Sequence, residues 1–118
     1  MRPMIAAILL MTASAAIADE VDDAHKLAVT GRDAYWNCLA REYPRDGNKA
    51  LSDQDFASLI AHVCPSERQN FRVSLIDFLG QQFPNEDAAV HLATANRAIE
   101  LAQKDIVTAF ARRNAAAK

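Results

Sequence analysis

The stretch Leu51-Ser52-Asp53-Gln54-Asp55-Phe56-Ala57-Ser58-Leu59-Ile60-Ala61-His62-Val63-Cys64-Pro65-Ser66 holds a whole helix with its start, its buried face and its stop. Ser52 stands at an N-cap position, and Leu51 is placed to staple against Phe56. Phe56, Leu59, Ile60, Val63 and Cys64 recur at i, i+3, i+4, i+7 and i+8, one apolar stripe, while Asp55, Ser58 and His62 face elsewhere. Cys64-Pro65-Ser66 closes this helix and opens another, because proline suits a first helical turn and disfavours helix in the residue before it. The spacing predicts a helix over about 53–63 and a second starting almost at once.

Toward the N-terminus, Ala24, Ala28, Gly31, Tyr35, Cys38 and Leu39 share a face at helical spacing and predict a helix over about 21–43, ended by Pro44. Arg45-Asp46-Gly47-Asn48 supplies turn chemistry between the two helices. Toward the C-terminus, a third helix is expected over about 66–83. Phe71, Leu75, Phe78 and Leu79 form its face, and Val73, Ile76 and Phe83 widen it, so it is expected to be the most buried element. Pro84-Asn85 breaks it, with Asn85 as cap and Glu86 and Asp87 at the positive end of a fourth helix over about 86–113. That helix repeats Ala88, Leu92, Ala95, Ile99, Ala102, Ile106 and Ala109 in steps of four and three, extended by Phe110. Glu100 and Lys104 are spaced as an i,i+4 pair outside the stripe. No stretch shows sustained period-two alternation, so residues 19–118 read as a single all-α domain of four helices.

The first eighteen residues read differently. Arg2 is the only charged side chain before Asp19, and an apolar run ends in Ala16-Ile17-Ala18, the A-x-A pattern of a cleavable signal peptide over 1–18. The run is shorter than the roughly 20 apolar residues a membrane span needs. Export, a periplasmic or secreted location and no stable membrane insertion after cleavage are the expectation. Cleavage at Ala18 leaves twelve basic and fifteen acidic side chains, a formal charge of −3 with the signs interspersed. Phosphate neutralisation needs clustered Lys and Arg, so nucleic acid is not an expected partner. Met1, Met4 and Met11 all lie in the signal, and the mature chain has no thioether for copper or haem iron.

An oxidising compartment makes a Cys38–Cys64 disulfide the simplest use of the two cysteines. It closes a loop of about 27 residues, worth about 3–4 kcal/mol in the chain-entropy model, a structural role. Cys-x-x-Cys and Cys-x-x-Cys-His are both absent. Flush antiparallel packing of the first two helices offsets these cysteines by roughly 10 Å along the axis. Bridged Cα atoms rarely lie beyond about 6.8 Å. The bridge therefore predicts that the second helix begins well beyond the end of the first, or that the two cross steeply.

Chemistry-bearing motifs are sparse. His25, His62 and His91 are single: His62 suits a helix C-terminus, and His25 and His91 are spaced to pair with Asp22 and Asp87. A metal site needs one of those pairs to meet further ligands through the fold, and none is expected. Asp19, Glu20, Asp22 and Asp23 lack calcium-loop spacing and read as a solvated start. No serine sits in a Gly-x-Ser-x-Gly elbow, and three glycines do not make a phosphate loop. No cofactor and no catalytic residue is expected.

The densest local feature is Tyr35-Trp36-Asn37-Cys38-Leu39, with Tyr43 two turns on. Tyr35 lies on the main apolar stripe. Trp36 and Tyr43 lie on an adjacent one, which reads either as core edge or, if both are exposed, as a partner-binding patch.

The export signal, the Tyr-x-x-Cys-Leu segment at Tyr35 to Leu39, Cys64 and the helical remainder resemble small uncharacterised secreted two-cysteine proteins of Gram-negative bacteria. The resemblance implies a periplasmic helical domain and no described activity. The periplasmic acid-stress chaperones share small size, helices and one disulfide, but their cysteines lie much farther apart. The leading expectation is a non-enzymatic interaction module that binds another periplasmic protein or itself. The alternatives are an acid-sensitive holdase and a small-ligand binder with a pocket between helices.

Overall fold

The computed structural model describes residues 3–117, with side chains from Ala18 onward. The signal-peptide expectation falls on residues 1–18, whose side chains through Ile17 lie outside the described ones. Four helices follow one another: α1 Pro3–Ala40, α2 Asp53–His62, α3 Pro65–Gln82 and α4 Ala88–Ala117, with a short 3-10 turn at Asp46–Asn48. There is no strand among the described residues. The chain is an all-α, four-helix fold closed by one disulfide.

Local chemistry sets the boundaries. The Ser52 side chain accepts a hydrogen bond from the Asp55 backbone N–H at 3.1 Å, the cap that starts α2. Helix α1 stops at Ala40, earlier than the expected Tyr43. Residues after it tighten into turns, Arg41 N–H donating to Cys38 O and Glu42 N–H to Leu39 O, so Pro44 lies past the end and does not cause it. The half-buried side chain of Asn48 donates to both the backbone and the carboxylate of Glu42, and Arg45 pairs with that carboxylate at 3.2 Å, which fixes the link before α2. Helix α4 begins at Ala88. The Asp87 carbonyl accepts from Val90 and His91, so Asn85 sits too early to be its cap.

Helix α1 packs chiefly on α3, and α4 touches each of the other three helices. Tyr35, Leu39, Phe56, Ile60, Phe71, Ile99, Ala102, Ile106 and Phe110 form one buried cluster around α4. The rings of Phe56 and Phe110 stack at 3.8 Å between centroids, joining α2 to the far end of α4. At Gly31, α1 and α3 approach closely: a Cβ there would stand 3.1 Å from the Phe71 Cα and 2.9 Å from the Ser74 Oγ.

Two expectations about burial are overturned. Helix α3 is not the most buried element, because it packs chiefly on α1 and α4 and leaves the rest of its surface open. Phe71 and Leu79 are buried, while Val73 and the following Phe83 stand largely in solvent. Helix α4 buries His91, Ala95, Ile99, Ala102, Ile106 and Phe110. The expected stripe holds from Ala95 to Ile106 and in Phe110, but Ala88 and Leu92 are exposed, His91 is buried instead, and Ala109 is only half-buried. A strict four-and-three repeat drifts about 20° per heptad around a straight helix, so the true buried line shifts off it at both ends.

Candidate functional site

The Cys38–Cys64 bridge forms as expected, with Cα atoms 6.2 Å apart. Cys64 sits between α2 and α3 in the left-handed region, φ 57° and ψ 47°, which lets α3 start at Pro65 directly after α2. Helix α2 packs on α4 and not alongside α1, so no flush hairpin forms and residues 41–52 span between the first two helices. A Glu67 carboxylate oxygen lies within 4.8 Å of both sulfurs. Joined to each other, those sulfurs offer no thiolate to a metal.

The aromatic segment before the bridge divides. Tyr35 is fully buried and its phenolic oxygen accepts from the Gln103 side-chain amide at 2.9 Å. Trp36 is 43% exposed. Tyr43 is half-buried against the core, with the Arg113 guanidinium 5.2 Å over its ring. Trp36 therefore presents an aromatic face to solvent, whereas Tyr43 is engaged with α4.

The histidines depart from their expected pairings. His25 packs on the Phe78 ring at 5.1 Å, and Asp22 pairs instead with Lys26 at 3.2 Å, one turn along in the orientation that suits a helix surface. That contact holds the Lys26 ammonium above its ordinary pKa, chiefly through the hydrogen bond it donates to the Asp22 carboxylate. His62 contacts the Ser58 carbonyl through Nδ1 at 2.7 Å, within the end of α2. His91 is 6% exposed and its Nδ1 lies 3.7 Å from Glu86, not Asp87, because the helix begins after Asp87 and turns the ring toward the preceding residue. That nitrogen has no hydrogen-bond partner.

A second constellation was not singled out from the sequence. Arg68 and Arg72 on α3, with Ala61 at the end of α2 and Asn96, Ile99, Glu100 and Gln103 on α4, line an open groove of about 450 Å³. Arg68 donates to the Ala61 carbonyl at 2.7 Å, and Arg72 donates to Asn96 at 3.0 Å and to Gln69. The signal available beforehand was two like charges at i,i+4 with no acid three or four positions from either on the same helix, a spacing that disfavours a helix unless something else engages the charges.

No family model, curated protein or solved structure matches this chain. Function therefore rests on the geometry alone. No helix among the described residues is long and apolar enough to cross a membrane.

Proposed function

We propose that the chain is exported, cleaved after Ala18, and acts in the periplasm or outside the cell as a non-enzymatic helical module that docks on a protein partner. The observation that carries this reading is the way Trp36 is presented. The preceding Tyr35 is locked in the core by its bond to Gln103, and Cys38 two residues on is covalently tied to the start of α3. An exposed indole on such a rigid element loses little further freedom on binding, and aromatic anchors dominate interface energetics. Oxidation of Cys38 and Cys64 supports a compartment in which disulfides persist.

Several polar side chains of the kinds that serve chemistry are engaged in structure. Ser52 caps α2, Ser74 donates to the Asn70 carbonyl at 2.8 Å, and His25 packs on Phe78. A photo-crosslinking residue placed at position 36 in the exporting cell tests the proposal. It should trap one discrete adduct, and the same residue at Lys49 should not. Equal adducts from both positions, or none from 36, would contradict it.

A further inference from the structure

We infer that the groove between the end of α2, α3 and α4 is an oxyanion-binding site, in which Arg68 and Arg72 hold a carboxylate or phosphate group. This goes beyond the docking role and does not depend on it. Both side chains are half-buried and fixed at one point by uncharged acceptors, Arg68 by the Ala61 carbonyl and Arg72 by the Asn96 side-chain oxygen. Of the five N–H donors on each guanidinium, these bonds and the one to Gln69 engage one on Arg68 and two on Arg72. Neither arginine pairs with a carboxylate among the described residues.

The cost of this arrangement points to a ligand. Two like charges one turn apart repel, and α3 holds no acid three or four positions from either. Solvent relieves a pair of freely moving surface arginines. These two are held on one wall of a common groove, where a single oxyanion can meet both forks with charge-assisted bonds. Asn96 and Gln103 line the same groove. Asn96 holds Arg72 from α4, and Gln103 holds Tyr35 in the core, so the wall opposite the arginines is anchored to the bundle. Glu100 also lines the groove and forms no ion pair with Lys104, contrary to its spacing. Its carboxylate opposes an incoming anion, so it tunes affinity downward.

The test follows the Nε–Hε signals of Arg68 and Arg72 by NMR in the purified protein with its bridge intact. Inorganic phosphate, succinate and chloride are titrated separately at constant ionic strength. A saturable shift at both arginines with phosphate or succinate, absent with chloride, is the expected result, and the more effective anion identifies the source of the oxyanion. Arg72→Gln should weaken binding by about tenfold or more. Glu100→Gln, which keeps both arginines and the fold, should tighten it by about two- to fivefold. Shifts that fail to saturate, that chloride reproduces, or that Glu100→Gln leaves unchanged would overturn the site.

Discussion

The phenolic oxygen of Tyr35 on α1 accepts a hydrogen bond of 2.9 Å from the side-chain amide of Gln103 on α4, across the middle of the fold. Tyr35 is fully buried, whereas Gln103 keeps partial contact with solvent. The two partners therefore differ in what their loss leaves behind. Gln103→Ala strands a buried hydroxyl and should cost about 1–3 kcal/mol, while Tyr35→Phe frees an amide that water can reach and should cost about 1 kcal/mol. Urea denaturation of both variants checks the order, and an equal or reversed pair of costs would contradict the geometry.

The stacked pair Phe56 and Phe110 carries the contact between α2 and the far end of α4. Phe110→Ala should destabilise by about 3–5 kcal/mol, a loss large enough to bring a domain of this size near its unfolding limit. Thermal unfolding followed by circular dichroism measures it. A change under about 1 kcal/mol would show that the site collapses onto the cavity.

Gly31→Ala sets two effects against each other. Alanine favours a helix interior by about 1 kcal/mol over glycine. Here the added methyl meets the Phe71 backbone at 3.1 Å, an atom that cannot turn aside as the Ser74 hydroxyl can. Overpacking of this kind costs about 1–3 kcal/mol, so the variant should be less stable. Ser74→Ala in the same chain should restore only part of the loss.

Asp46 gives the pH dependence a definite sign. The side-chain hydrogen bond from Lys49 at 2.7 Å, followed by its charge, holds the Asp46 carboxyl below its ordinary 3.8. A carboxylate favoured in the folded state contributes stability above its unfolded pKa, and that contribution is lost as pH falls through the lower folded value. The pair is exposed, so the effect is small. Carboxyl-carbon NMR titration should place the Asp46 midpoint below 3.8 and return it upward in Lys49→Ala. A midpoint unchanged by that substitution would contradict the contact.

The helices were legible because their punctuation is local. Ser52, Pro65 and the apolar spacing from Phe56 to Cys64 are short-range signals that tertiary packing left in place. The bridge followed from there being two cysteines to join. Which side of a helix meets the core is a property of the assembly. A step of one residue moves a side chain by about 100°, which is why His91 is buried and Leu92 is exposed. The centrality assigned to α3 came from its apolar content. The fold instead gives the centre to α4, long enough to reach α1, α2 and α3 together. The arginine groove assembles from three helices, and only its α3 half leaves a trace in sequence spacing.

Intact mass of the protein recovered from the exporting cell, with and without reductant and alkylation, tests the central claim of an exported, bridged helical module most directly. A chain beginning at Asp19, two hydrogens lighter than the dithiol and alkylated at Cys38 and Cys64 only after reduction, is the predicted result. A chain that retains its first eighteen residues, or two thiols that alkylate without reductant, would contradict it.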